Sequence, residues 1–365
     1  MSTSPERLVG EIMKDIDKDS NPDEQEYGIS KDETAYQSSN DKVYSSSMDS
    51  QFSQNYPTLF FPFFSFQKKN EEEKNIFSYN NISSALEDQN KTKQLQSILI
   101  HSSEETVSYI ISELSGKFVN IFKDKNGNYF CSDLIVACNY EQRKQILTEI
   151  SPVISEICLD EFGTHPVQKL IECSSSTQEY KLLLESFKEE NKIIMASLTK
   201  NGAFVIQKII VKIPDTMRTE FNNIIIKNVF TLSKDMYGVC VLKKFVGYSN
   251  NEINLKLILN HILKNFVNIA TNKYGNYLIQ DMLENFWKTH IGTLLKKIII
   301  NKYSSLAKHK YSFYVCDAFI KLGGEDKKLS KIINNLKNNM DKNKNINNIA
   351  TYPININNKT KEPSE

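Results

Sequence analysis

The sequence predicts an all-α protein in which repeated helical units stack into an α-α superhelix. A short phrase recurs along the 365 residues at gaps of 36, 39, 36, 37 and 37. Amphipathic patterns of helical period precede each phrase and continue within it. The small residue shared by the copies lies at Gly127, Gly163, Gly202, Gly238, Gly275 and Ser312. A constant period of this length is typical of repeat proteins, whose units bury their apolar faces only by stacking on neighbours.

The clearest copy of the phrase reads NKYGNYLIQDML at 272–283. The others are KNGNYFCSDLI at 125–135, EFGTHPVQKLI at 161–171, KNGAFVIQKII at 200–210, MYGVCVLKKFV at 236–246 and KYSFYVCDAFI at 310–320. A degenerate copy of the phrase reads QNKTKQLQSIL at 89–99. It has Lys91 in the position of the small residue, 36 residues before Gly127. We number the units one to seven in chain order.

Each unit is predicted to contain a helix, a turn and a second helix. Segments with apolar residues at i, i+3, i+4 and i+7 precede the phrases, for example at 109–123, 145–159 and 257–271. The phrase itself begins the second helix, and its glycine is expected to supply the tight turn between the two.

Charge and composition divide the chain into three parts. Residues 1–75 carry 8 Lys or Arg against 15 Asp or Glu and are rich in polar residues, so they are predicted to be a disordered acidic leader. Its aromatic stretch at 59–66 is read as a packing segment or, alternatively, a partner-docking motif. Residues 76–345 are the predicted repeat domain, and 346–365 a degenerate last repeat or tail. The remainder of the chain is mildly basic, which suits a polyanionic partner without requiring one.

The sequence argues against a membrane protein, a metalloprotein and an enzyme. The longest apolar cluster is too short to span a bilayer. The five histidines have no metal-binding spacing, and we find no phosphate-binding loop, dinucleotide fingerprint or nucleophile elbow. The six cysteines are scattered without C-x-x-C pairs, so reduced thiols are expected. No cofactor and no catalytic residue is therefore predicted.

The helix that begins near Asn276 separates into two arcs when its residues are placed about 100° apart. One arc is apolar and is predicted to be core; it consists of Leu278, Ile279, Met282, Leu283 and Phe286. The other arc holds Asn276, Tyr277 and Gln280, and we call these positions the first, second and third members of a triplet. The equivalent triplets are Thr92, Lys93 and Gln96; Asn128, Tyr129 and Ser132; Thr164, His165 and Gln168; Ala203, Phe204 and Gln207; Val239, Cys240 and Lys243; and Phe313, Tyr314 and Asp317.

The second member is a flat ring in five of the seven units: Tyr129, His165, Phe204, Tyr277 and Tyr314. Repeated rings on a face outside the core favour stacking on nucleic-acid bases, and neighbouring amides and hydroxyls favour contacts with base edges. In unit five, Cys240 takes this position as a small residue beside a base rather than as a nucleophile, because no partner in the sequence activates it.

These triplets within a helical repeat of about 36 residues resemble the Pumilio (PUF) family of RNA-binding proteins. The resemblance covers residues 89–322, and YGNYLIQ at 274–280 is its strongest part. It implies a crescent-shaped right-handed solenoid whose concave face binds single-stranded RNA antiparallel to the chain. The seven copies resemble the first seven of the family's usual eight repeats, and an eighth is not recognisable.

The resemblance also implies roles for the triplets. First and third members contact base edges: Asn128 and Ser132, Thr164 and Gln168, Ala203 and Gln207, Val239 and Lys243, Asn276 and Gln280, and Phe313 and Asp317. Second members stack: Tyr129, His165, Phe204, Cys240, Tyr277 and Tyr314. Asn276 with Gln280 implies uracil, and Gln168 and Gln207 imply adenine or uracil. Phe313, Asp317, Val239, Lys243 and Ser132 depart from the family pattern, which predicts relaxed or altered specificity relative to the family's UGU-containing target.

The function implied is selective binding of messenger RNA, in the 3′ untranslated region, by a cytoplasmic monomer that regulates translation or decay. Repressor or deadenylase proteins are the implied partners. Two alternatives stay open. One is a protein-binding helical scaffold, and the other is a nucleolar Pumilio-like factor in ribosome assembly that binds RNA with little selectivity.

Overall fold

The computed structural model describes residues 74–249, 251–324 and 327–344, all within the unit Glu72–Glu365. The predicted leader, apart from residues 74 and 75, and the predicted tail at 346–365 lie outside the described residues. The described helices are α1 Tyr79–Leu86, α2 Gln89–Leu99, α3 Glu104–Leu114, α4 Phe118–Phe122, α5 Gly127–Ala137, α6 Tyr140–Ile150, α7 Ile154–Ile157, α8 Thr164–Cys173, α9 Thr177–Glu185, α10 Glu190–Ser197, α11 Lys200–Lys212, α12 Thr219–Lys227, α13 Val229–Leu232, α14 Met236–Tyr248, α15 Glu252–Lys264, α16 Phe266–Ala270, α17 Gly275–Phe286, α18 His290–Leu306, α19 Ser312–Gly323 and α20 Lys327–Lys344.

The seven helices that begin at the recurring phrase stand side by side in one row. These phrase helices are α2, α5, α8, α11, α14, α17 and α19, and each packs against the next in the series. A second series of helices alternates with the phrase helices along the chain, and we call them companion helices: α1, α3, α6, α9, α12, α15, α18 and α20. Neighbouring companion helices also pack together, for example α3 with α6 and α12 with α15. No strand occurs among the described residues. The predicted all-α superhelix of stacked units is confirmed.

The predicted core arc of the phrase helices is buried as expected. On α17, Leu278, Ile279, Met282 and Leu283 are fully buried, and Phe286 is half-buried at the end of the helix. Full burial of a leucine, isoleucine or methionine side chain stabilises a fold by about 1.5–3 kcal/mol. Because each arc packs against the helices of its own unit and of both neighbours, the apolar core is continuous along the row.

Units two to six contain three helices each, which corrects the prediction of two, whereas units one and seven contain two. The segment 109–123 breaks between α3 and α4 at Gly116, the one described glycine with a positive φ, at 76°. The segment 145–159 breaks at a 3₁₀ turn, Ser151–Val153, that contains Pro152. Proline lacks an amide proton and cannot continue the preceding helix. In 257–271 the break is at Asn265, whose Nδ2 donates to the His261 carbonyl at 2.9 Å, a side-chain contact that competes with the helical backbone.

The recurring glycine has a different role from the one predicted. In the phrase helices it has no left-handed conformation, so no turn depends on its φ. Instead the backbone of the preceding short helix lies against it. A Cβ at Gly238 would be 2.3 Å from the Leu232 carbonyl oxygen, and one at Gly275 would be 2.5 Å from that of Ile269. Unit seven replaces the contact with a hydrogen bond, because Ser312 Oγ donates to the Leu306 carbonyl at 2.7 Å.

A buried ion pair joins two companion helices. Arg143 on α6 donates from Nε to Glu179 Oε1 on α9 at 2.9 Å, and the Glu179 side chain is fully buried. Glu179 Oε2 also accepts from the backbone N–H groups of Ser175 and Ser176, each at 3.0 Å. The same carboxylate therefore caps α9 and connects it to the unit before.

Among the described helices, none is by itself both long and apolar enough to cross a membrane. Together α10 and α11 meet that length and composition test, with a bend of 112° between them.

Candidate nucleic-acid interface

The first turn of most phrase helices is shaped by an acid or amide three residues before the shared small residue. Asp124, Asp160, Asp235 and Asn272 each accept, through Oδ1, the backbone N–H groups of the two residues before the triplet. Asp88 does the same in unit one. Such caps satisfy donors that a helix leaves unpaired at its N-terminus. The triplets therefore begin at a fixed point in each unit.

The second triplet members lie exposed along the row of phrase helices. The exposed fractions are 47% for Tyr129, 41% for Phe204, 56% for Tyr277 and 54% for Tyr314. His165 and Cys240 are also exposed at the same position. Four large rings in solvent at equivalent positions of stacked units form a surface to which flat apolar groups can bind.

The first members are mostly buried, which corrects the prediction that the whole triplet is exposed. Asn276 has only 1% of its surface exposed. Its Nδ2 donates to the carbonyls of Asn272 and Lys273, both at 2.9 Å. The side chain lies over the preceding loop because residues on a helix lean towards its N-terminus. The other buried first members are Thr92, Asn128, Thr164, Ala203 and Val239, while Phe313 is half-buried.

The third members are half-buried, and in units three, four and six a glutamine there is held by the first member. Gln280 Nε2 donates to Asn276 Oδ1 at 2.8 Å, and Gln168 Nε2 donates to Thr164 Oγ1 at 3.1 Å. Gln207 Nε2 donates to the Ala203 carbonyl at 3.1 Å. In these three units the amide nitrogen of the glutamine is held to its own helix. The glutamine oxygen is the atom that a ligand donor can approach. The roles of first and third members as base-edge contacts stay predictions.

Unit two has the same first member but an incomplete pair. Asn128 Nδ2 donates to the carbonyls of Asp124 at 2.9 Å and Lys125 at 2.8 Å, as Asn276 does in its own unit. Ser132 is too short to reach the amide oxygen and instead donates to the Asn128 backbone carbonyl at 2.7 Å. Asn128 Oδ1 is buried without a hydrogen-bond partner among the described residues.

The charged third members form ion pairs, one of which joins two units. Lys243 Nζ lies 3.1 Å from Asp281 Oδ1 of the next phrase helix, and Asp317 Oδ2 lies 2.7 Å from Lys321 Nζ. In the same way, Gln96 Nε2 donates to Asp133 Oδ2 of the next unit at 2.6 Å. The prediction missed Asp133 and Asp281. They lie one position after the third member, a place where Lys169, Lys208 and Lys244 occur in other units.

The site offers no activated nucleophile at Cys240. Burial raises the pKa of its thiol, partly offset by the nearby Lys243 ammonium, so the thiol is neutral at physiological pH. Across the described residues no group of His, Cys, Asp and Glu side chains is arranged to hold a metal ion.

The fold and this surface together define a class of protein. It is a helical-repeat protein in which every unit presents one exposed side chain, a ring in most units, beside a half-buried polar one. The sequence model of the Pumilio-family RNA binding repeat matches residues 95–115, 123–151, 154–185, 228–263 and 265–299. These segments include the phrase helices of units two, three, five and six.

Pumilio proteins are also among the chain's relatives in sequence. Pumilio homolog 12 of Arabidopsis thaliana is 27% identical over 254 residues, which is 69% of this chain and 42% of that protein. Suppressor protein MPT5 of Saccharomyces cerevisiae is 26% identical over 211 residues, 56% of this chain and 24% of that protein. The chain thus spans less than half the length of these relatives. It belongs to the Pumilio family as a divergent member.

Solved structures agree with this assignment at the level of the fold. The Puf4 RNA binding domain bound to an HO endonuclease RNA 3′ UTR recognition sequence aligns with a TM-score of 0.65 at 23% identity, covering 70% of this chain and 79% of that one. PUF-8 in complex with PBE-RNA aligns with a TM-score of 0.62 at 20% identity, covering 72% and 74%.

Proposed function

We propose that this protein binds single-stranded RNA along the row of phrase helices, with one base beside each triplet. The observation that carries the proposal is the row of exposed second members, four of them tyrosine or phenylalanine rings between 41% and 56% exposed. Stacking of a base on such a ring contributes about 1–3 kcal/mol and tolerates any base. Family membership and relatives whose structures hold RNA support the same function.

Selectivity would come from the polar members beside the rings. The Gln280 oxygen, with its amide nitrogen held by Asn276, offers a fixed acceptor to the N–H of a uracil base. Unit six is therefore the unit to which we assign a defined base preference. Unit five, with Val239 and the paired Lys243, offers no comparable acceptor, and its preference is expected to be weak.

The biological setting that we propose follows the family. The RNA would be messenger RNA bound in its 3′ untranslated region, with effects on translation or decay through repressor or deadenylase proteins. The protein would act as a monomer in the cytoplasm.

Titration of the full chain with single-stranded RNA selected from a randomised pool tests the proposal. Tyr277→Ala with Phe204→Ala is expected to weaken binding by about 2 kcal/mol or more, roughly thirtyfold. Tyr140→Ala on companion helix α6 removes a ring outside the row and serves as the control. Equal affinities for the double variant and the unchanged chain would exclude RNA stacking on this row. Failure of the unchanged chain to enrich any RNA would exclude the function itself.

A further inference from the structure

The position two residues before the shared small residue holds a lysine in four units. These lysines are Lys125, Lys200, Lys273 and Lys310, and all four are exposed. Each stands four residues before the second triplet member: Lys200 is the first residue of its phrase helix, and the other three lie in the turn that precedes theirs. The residues that follow at this spacing are Tyr129, Phe204, Tyr277 and Tyr314. Every tyrosine or phenylalanine ring of the row is thus accompanied by a lysine.

Among units two to seven, units three and five have neither a tyrosine or phenylalanine as second member nor the lysine. Unit three has Glu161 before His165, and unit five has Met236 before Cys240. Both Glu161 and Met236 are exposed. In these six units, the lysine and a tyrosine or phenylalanine ring therefore occur together or not at all.

Four other lysines of the phrase helices are engaged in ion pairs. Lys208 Nζ contacts Glu172 of the preceding unit, and Lys169 Nζ lies 2.8 Å from the same carboxylate. Lys243 and Lys321 are paired with Asp281 and Asp317. The lysines at the earlier position make no ion pair with any residue that the structure describes. Instead Lys273 Nζ lies 4.6 Å from the centre of the Tyr274 ring, and Lys310 Nζ lies 5.3 Å from that of Tyr311.

The residue just before each lysine changes the local charge further. In units four, six and seven it is not a carboxylate, because Thr199, Asn272 and His309 hold this position. In unit two it is Asp124, which offsets Lys125, and in unit three Asp160 stands beside Glu161. Over these two positions the charge is positive in units four, six and seven, balanced in unit two and negative in units three and five. One residue earlier, Lys123 adds a positive charge in unit two and the exposed Lys234 balances Asp235 in unit five, so among units two to seven only unit three keeps a negative start.

We propose that Lys200, Lys273 and Lys310 contact RNA phosphates, so that the ionic part of RNA binding is concentrated in units four, six and seven. This inference rests on the proposed RNA binding and adds where along the row the RNA backbone is held. In unit three the carboxylates of Asp160 and Glu161 repel phosphate, and in unit five Met236 stands in place of the lysine. Neither unit has a tyrosine or phenylalanine ring at the second member. A nucleotide opposite those units is held mainly by its neighbours in the strand.

The salt dependence of binding separates phosphate contacts from base contacts. Each phosphate neutralised on single-stranded RNA contributes about 0.7 to the slope of log K against log salt concentration. Lys200→Gln with Lys273→Gln and Lys310→Gln in the full chain is expected to reduce that slope by about 2, and to weaken binding of all RNA sequences alike. Glu161→Lys is expected to steepen the slope by about 0.7.

A second triple variant with the same net charge distinguishes direct lysine–phosphate contacts from an effect of the protein's overall charge. Lys181→Gln, Lys264→Gln and Lys302→Gln remove three exposed lysines on companion helices and are expected to leave the slope unchanged. If the first triple variant keeps the slope of the unchanged chain, or the companion-helix variant loses as much, the lysine assignment is wrong while RNA binding stands. If the unchanged chain binds no RNA, both proposals are wrong.

Discussion

At the residue scale, the small residue shared by the units is explained by space rather than by backbone conformation. A side chain at Gly238 would overlap the Leu232 carbonyl, whereas Gly247, nine residues later on α14, has nothing within 4 Å of a Cβ. The two glycines lie on one helix but respond to opposite effects. The first is confined by a neighbouring backbone, while the second only weakens the helix by its flexibility.

Alanine substitutions at these two glycines are expected to have opposite signs. Gly238→Ala should destabilise the protein by about 2 kcal/mol, because the short helix α13 must move to admit a methyl group. Gly247→Ala should stabilise it by up to about 1 kcal/mol. Urea unfolding followed by circular dichroism measures both. Equal effects of the two changes would contradict the packing explanation.

The pair Asn276 and Gln280 belongs to the residue scale as well. We expect Asn276→Ser with Gln280→Glu to change the base preferred at one position of the selected RNA, because the glutamate oxygens replace an oriented amide. Preferences at other positions should persist. Repeated RNA selection with both proteins measures this, with Asn285→Ser, on the same helix, as the control. If every base preference survives the double change, the triplet assignment in unit six is incorrect.

At the element scale, the contact between α6 and α9 depends on one buried carboxylate. Burial on its own would raise the pKa of Glu179, but hydrogen bonds from Ser175, Arg143 and Ser176 outweigh it and the pKa is lowered. A carboxylate with a lowered pKa in the folded state stabilises the protein above the pKa of the unfolded chain. That contribution is lost as the pH falls through the folded value.

Glu179→Gln is therefore expected to cost about 3 kcal/mol at pH 7, because Arg143 is left largely buried without its partner. The difference from the unchanged protein should shrink as the pH falls through the lowered pKa of Glu179, because the carboxylate itself then becomes protonated. Urea unfolding at several pH values gives the comparison. Glu185→Gln, which removes an exposed pair with Lys188, should change stability by less than about 1 kcal/mol at every pH. A cost for Glu179→Gln that does not vary with pH would contradict this account.

At the scale of the whole molecule, the units are arranged in series, and each phrase helix packs against the next. Such an arrangement places equivalent residues of all units at equivalent points of one surface. A single exposed tyrosine is an ordinary surface residue. In stacked units, the equivalent tyrosines and phenylalanines together form one row on the surface. For the same reason, the charge alternation between Glu161 and Lys200 is a property of the row and of no single unit.

The recurring phrase and its helical period were sufficient to predict the stacked units, the buried arc of α17 and the exposed second members. These features depend on neighbours three or four residues apart, which a linear pattern records. Two of the helix breaks lie at Gly116 and Pro152, residue types that commonly interrupt a helix. The break at Asn265 had no such signal.

By itself, the sequence determined the number and order of the units and which face of each phrase helix is core, because period and polarity are local properties of the chain. Only the tertiary structure decided that Asn276 is buried with its amide held by the loop and by Gln280. It likewise decided that the glycines are needed for close approach and that Lys243 pairs with Asp281 of the next unit. These facts depend on distances between backbones and between units, which no pattern within one unit contains.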